Sequence, residues 1–409
     1  MNRITPHFSY YRWVMLAGIS LLYSCFAMVH FSTSALATIM IEDLGLSLSE
    51  MGSIMGAWPL AYIFLAIPVG ILLDRFGIRY MLLFGIVVIA LSAYLRVIAT
   101  NQQQLFFALL TFGFGAPFIS IGMPTIVRKW FSYEQRGLAM GICAAMIAVG
   151  SVMGLTLTSE LLRIFDGSWR CTLNVYAWGC VVVALIWALI ISHPICRQND
   201  QREGLESIAE VGGACIRLLG NASIRSMLVL SIGAFFYMHA TINWLPKLIL
   251  QFESEISLAE AVSWASLPVI VGIFSSALVH KFTSNNREIL VMTLLFVISS
   301  ISSILLAAGA GTVILFITLA MVGIVRGALP VVSLMLMMHM PGISQKNTGS
   351  AMGLLFGIGQ IGGVTGPLIV GYLAQKSDGF YLSLYFLAGL CLFLAGLSLV
   401  LGRISAVEK

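Results

Sequence analysis

The sequence predicts an all-α membrane protein of twelve transmembrane helices, built as two six-helix pseudo-repeats. Three observations carry that expectation. Of 409 residues, 59% are hydrophobic and only 10% charged, against about 25% charged in a soluble domain. About twelve apolar runs are long enough to cross a bilayer core as helices. Landmarks of the first half recur in the second at a nearly fixed offset.

The runs lie near 12–41, 51–72, 79–99, 104–129, 136–162, 172–193, 224–250, 258–281, 288–309, 312–338, 347–374 and 380–402. The first, from Trp13 to Ile39, is too long for a signal-peptide core. With the N-terminus inside, Arg12, Arg75, Arg79, Arg128, Lys129, Arg136 and Arg225 fall on the inner side. Arg96, Arg163, Arg170, Lys247 and Lys376 fall outside. The full inside-to-outside ratio of basic residues, roughly three to one, obeys the positive-inside rule. Both termini are therefore expected in the cytoplasm of a multi-pass protein, in a bacterial inner (plasma) membrane. Residues 1–196 form the first bundle and 222–409 the second. The polar stretch 197–221 is a cytoplasmic linker with a short amphipathic helix near Ser207 to Leu219.

The repeat is an ordered series. At an offset of about 206, Trp58 meets Trp264, Arg75 meets Lys281, Phe76 meets Phe282 and Pro124 meets Pro330. After a longer loop the offset is about 212, and Gly141, Gly150 and Gly154 meet Gly353, Gly362 and Gly366.

Between the second and third runs stands Gly70-Ile-Leu-Leu-Asp74-Arg75-Phe-Gly77-Ile-Arg79. Gly77 permits a sharp turn, and Gly70 a close helix approach. The charges belong at the aqueous face, since each costs at least a few kcal/mol in lipid. This stretch resembles the loop signature of the major facilitator superfamily, Gly-x-x-x-Asp-Arg-x-Gly-x-Arg, with no departure at the charged positions. The resemblance implies two rocking bundles around a midplane site and a cytoplasmic loop that holds the outward-open state. In the second-half copy His280 replaces the acid, so the two halves need not latch equally.

The segment Gly122 to Gly141 places Arg128, Lys129 and Arg136 where the fourth run ends and the fifth begins. In the superfamily such a pattern implies a salt-bridge network with the latch; plain topology-setting charge is the other reading. The eleventh run holds Gly357, Gly362, Gly363, Gly366 and Pro367, read as a gating hinge, with Gln360 as its polar exception.

Candidate substrate residues are polar or aromatic groups at mid-span: His30, Trp58, Tyr62, His239, Asn243, Trp244, Arg326 and Gln360. Arg326 is the sharpest, because a guanidinium in a membrane needs an anion, carbonyls or water. Recognition of an anion or carboxylate is one reading, and a structural partner on another helix the other. His239, Asn243 and Pro246 share one helical face. The run Asn243-Trp-Leu-Pro246 resembles the seventh helix of the cyanate and nitroimidazole transporter branch. That branch carries an arginine in its first span, where this chain has Tyr23, Ser24, His30, Ser32 and Ser34. Gly122-Met-Pro and Trp130-Phe are similar to the choline and haem carriers of the superfamily. Arg96, near the outer end of its span, is read as snorkelling to the headgroups.

The expected function is secondary active or facilitative transport of a small polar, in one reading anionic, organic solute by alternating access. The alternatives are efflux of amphipathic drug-like compounds and a non-transporting sensor. No catalytic cluster, Walker loop, metal-ligand spacing or disulfide framework appears among seven cysteines. No enzyme activity, cofactor or nucleic acid is expected. The partners are a small-molecule substrate and the lipid bilayer, and the chain is expected to be monomeric. No Asp or Glu lies mid-span, so proton coupling would fall to His30 or His239.

Overall fold

The computed structural model describes residues 6–198, 208–253, 255–283, 287–309, 311–344 and 347–407. The described residues form fifteen α-helices and no strand. In chain order these are α1 (Pro6–Leu44), α2 (Leu48–Phe76), α3 (Ile78–Val97), α4 (Gln102–Trp130), α5 (Tyr133–Ile164), α6 (Trp169–Ser192), α7 (Pro194–Gln198) and α8 (Ile208–Leu219). There follow α9 (Ala222–Phe252), α10 (Leu258–Trp264), α11 (Leu267–Leu278), α12 (Glu288–Ala308), α13 (Thr312–Met338), α14 (Thr348–Lys376) and α15 (Tyr381–Val407). Eleven segments among the described residues are long and apolar enough to cross a membrane, and α2 is a further helix of 29 residues. Part of the expected linker, 199–207, lies outside the described residues.

One span departs from expectation. The run 258–281 is read from sequence as one helix, but it breaks between Trp264 and Leu267. Pro268 stands in the first turn of α11 and has no N–H to give the Trp264 carbonyl. The chain turns there and restarts. A capping box of Ser257 and Glu260 fixes the start of α10.

The chain divides into two compact units. Unit 1 comprises Met1–Ser32 and Phe64–Glu206; unit 2 comprises Thr33–Ile63 and Ser207–Lys409. The hairpin that ends α1 and begins α2 thus belongs with the second unit. Within unit 1, α3 packs on α4 and α6. Within unit 2, α14 packs on α9, α12 on α15, and α11 on α13.

The repeat read from the glycines reappears as a packing contact made twice. In unit 1, Gly150 and Gly154 of α5 lie against the carbonyls of Ser24 and Met28 on α1. In unit 2, Gly362 and Gly366 of α14 lie against those of Ile232 and Phe236 on α9. A Cβ at any of the four would collide with backbone. Lipid tails give two helices no hydrophobic reason to associate, so such backbone-to-backbone contact is a main source of attraction.

Candidate functional site

The midsection of unit 2 gathers most of the expected substrate residues. His239 of α9 is half-buried, with its ring 5.4 Å from that of Trp58 on α2. Phe235, one turn earlier on α9, stacks on His239 at 6.1 Å. Tyr62 meets Trp58 edge-on at 6.3 Å. Over Gly363 of α14 three groups converge: the Gln360 side-chain oxygen, the His239 ring and Pro59. Gln360 is 5% exposed, and its Oε1 has no hydrogen-bond partner among the described residues. The result is a small cradle of flat rings with one buried acceptor.

Arg326 sits midway along α13, half-buried. Gly323 and Gly327 press α13 against Pro268 and Gly272 of α11. One residue turns the helix by about 100°, so Arg326 lies beside that seam rather than in it. On the seam's other flank, Ile324 is exposed. Helix α13 also packs against α9 and α14, which carry His239 and Gln360.

Two expected substrate residues have structural jobs instead. Trp244 is fully buried, donates its indole N–H to the Pro367 carbonyl at 3.0 Å, and packs on Phe380 at 5.3 Å. Asn243 is 3% exposed and donates its amide to the His239 carbonyl at 2.8 Å. It shares a face with His239, as the spacing requires, but the bond closes on its own helix. Pro367 does not break α14, and its carbonyl is the one held by Trp244.

His30 belongs to unit 1. It is half-buried in a stack with Phe26 at 6.5 Å and Phe112 at 6.0 Å, with Phe31 edge-on at 5.0 Å. Arg96 does not snorkel. It is 1% exposed, donates to the Val29 carbonyl at 3.2 Å and to Ser92 Oγ at 3.1 Å, and lies 5.3 Å over the Phe112 ring. It points into the bundle because carbonyls, a hydroxyl and an aromatic face wait there.

Sequence reading also missed how α1 braces two proline-bearing helices. A proline leaves the carbonyl four residues earlier without its helical donor. Pro124 does this to Ser120, and the Tyr23 hydroxyl donates there at 2.7 Å. Pro246 does it to Ile242, and Ser34 Oγ donates there and to the Asn243 carbonyl, each at 2.9 Å. The signal was available: two prolines each preceded by an orphaned carbonyl, and a span rich in hydroxyls.

The latch is partly as read. Gly77 has φ 87°, a left-handed value that favours glycine, and it separates α2 from α3. Arg75 is exposed, over the Phe76 ring at 5.6 Å. The side chain of Asp74 lies outside the described residues. Gly70 has no described neighbour within van der Waals reach of an added Cβ, so the expected close helix approach is absent there. Arg79 is not an aqueous charge: it is 5% exposed and donates to the Ile191 carbonyl at 3.3 Å. Trp187 donates back to the Arg79 carbonyl at 3.0 Å, which clamps α3 to the end of α6. Arg136 donates to the carbonyls of Phe131 and Arg128 and so caps the end of α4. Arg128 is exposed.

In unit 2 the latch copy carries an acid after all, displaced along the chain. Glu288, in the first turn of α12, meets His339 Nδ1 at 3.2 Å. His339 follows the last turn of α13.

The chain is similar to several known transporters. It is 25% identical over 398 residues to the "Probable galactarate/D-glucarate transporter GarP" of Escherichia coli (strain K12), covering 86% of each chain. It is 23% identical over 389 residues to the hexuronate transporter of Bacillus subtilis (strain 168), covering 88% of this chain and 87% of that one. Among solved structures, a bacterial homologue of the human lysosomal transporter Spinster superposes with a TM-score of 0.79. That match is 14% identical and covers 98% of both chains, a likeness of fold. Residues 19–344 match the model of the Major Facilitator Superfamily. The chain is a multi-pass membrane transporter, not an enzyme, and belongs to the Major Facilitator Superfamily.

Proposed function

We propose that the protein carries a small organic anion across the membrane by alternating access, with the anion's charge met by Arg326. The single observation behind this reading is a half-buried guanidinium midway along a membrane-spanning helix. Such a charge is costly in lipid and usually functional. The relatives' names agree in kind: galactarate, glucarate and hexuronate are all organic acids. The Asn243–Pro246 run, similar to the cyanate and nitroimidazole branch, agrees on charge alone.

In this reading the six-plus-six division at 197–221 supplies the two rocking bodies, and binding shifts two states through differential affinity. The Asp74, Arg75 and Arg128 region biases that equilibrium from the cytoplasmic side. Both termini face the cytoplasm, the chain acts as a monomer in the lipid bilayer of a bacterial inner membrane, and any coupled proton is carried by His30 or His239.

The test is counterflow in proteoliposomes loaded with an organic acid. Wild-type protein exchanges labelled acid, and Arg326→Gln, purified in equal folded yield, does not. Equal exchange by the variant removes Arg326 from the site. Binding without exchange turns the transporter into a sensor.

A further inference from the structure

We propose that the unit 2 site takes a solute with one carboxylate and a hydroxyl on a flat apolar body, as in a hydroxylated aromatic monocarboxylate, with Gln360 accepting the hydroxyl. This rests on the anion reading above and narrows it.

Charge is the first argument. Among the described residues, the mid-span regions hold two guanidiniums, Arg96 and Arg326, and no carboxylate. Arg96 is enclosed by Val29, Ser92 and Phe112. Arg326 is the more open of the two. One open cation balances one carboxylate. A second carboxylate, as in an aldarate, would enter the membrane interior against no second cation, which is strongly unfavourable.

The second argument is the orphaned acceptor. A buried polar atom without a partner is costly and calls for an explanation. The Gln360 oxygen lies in the cradle beside His239 and Pro59 rather than against a donor of the protein. A ligand hydroxyl would satisfy it. The third argument is shape. Trp58, Tyr62, Phe235 and His239 offer ring faces and edges, which suit a flat body. A sugar acid brings several hydroxyls, more than one buried acceptor and a few rings can satisfy.

The experiment uses the full chain in detergent, with binding measured by calorimetry and by thermal shift. The probes are 4-hydroxybenzoate, benzoate, 4-methoxybenzoate, D-glucuronate and galactarate. We expect 4-hydroxybenzoate to bind about tenfold more tightly than benzoate or the methyl ether, the worth of one hydrogen bond to a buried acceptor. Galactarate should be weaker than any of the three. The gap between hydroxylated and unhydroxylated acids should close in Gln360→Leu and in the closer isostere Gln360→Met. No gap in the wild type, or a gap that survives in either folded variant, overturns the role of Gln360. Tighter binding of glucuronate or galactarate than of hydroxybenzoate overturns the substrate class and leaves the anion reading standing. Binding of none of the acids overturns both.

Discussion

Units 1 and 2 each hold a histidine in a nest of rings, a proline-released carbonyl caught by an α1 hydroxyl, and one mid-span arginine. They differ in what surrounds the arginine. Arg96 is 1% exposed and closed in by Val29, Ser92 and Phe112. Arg326 flanks a helix seam and stays half-open. A buried charge therefore has two uses in a membrane. Sealed by carbonyls and rings, it ties helices together; left partly open, it is positioned to meet a ligand.

The sharpest way to break this comparison is to exchange the roles. Arg326→Gln should lower uptake kcat/KM for an organic acid by on the order of 100-fold, as expected when one partner of a buried charge pair is lost. Its thermal stability in detergent should hardly move. Arg96→Met should do the reverse. It should lose about 2 kcal/mol of stability as the Val29 and Ser92 groups lose their donor, while KM in the surviving folded fraction stays put. A transport defect in Arg96→Met at unchanged Tm would erase the distinction.

Smaller effects sharpen the comparison at the proline carbonyls. Ser34→Ala and Tyr23→Phe each remove the donor to a released carbonyl, Ile242 in unit 2 and Ser120 in unit 1. Each should cost about 1 kcal/mol. In a transporter that parts α1 from α9, Ser34→Ala should also raise labelling of a cysteine placed at the outer end of α1, and Tyr23→Phe should not. The smallest effect belongs to the displaced latch pair. His339 is 62% exposed against Glu288 at 10%, so Glu288→Gln should cost under about 1 kcal/mol. The readout is a thermal melt at two salt concentrations. A large, salt-independent loss would show that the pair is more shielded than its exposure implies.

Much of the fold was legible because lipid leaves few options. Backbone groups with no water nearby must bond within a helix, so an apolar run of the right length reads directly as a span. The glycine series carried the repeat, since Gly150 and Gly362 meet carbonyls in matching positions. The break at Trp264 was less legible. Pro268 can kink a helix or restart one, and the choice depends on what packs beside it.

The site was legible only in part. His239, Trp58, Tyr62 and Gln360 came together as read. Trp244 and Asn243 looked equally suitable on a helical wheel, yet one is spent on Pro367 and the other on its own helix. Phe235 was passed over although it stands one turn from His239 on the same face. Arg79 sits in the most recognisable motif of the chain and still turned inward to Ile191 and Trp187. A motif fixes which charges are present; it does not fix which neighbours are nearer than water.

By itself the sequence determined the helices, their number and the internal repeat, because hydropathy, chain length and backbone hydrogen bonding act locally and admit one answer in a bilayer. Only the tertiary structure decided which polar groups were consumed in holding helices together and which were left facing open space. That outcome depends on carbonyls and rings contributed by residues far along the chain, as Val29 and Phe112 are for Arg96, and no local pattern records them.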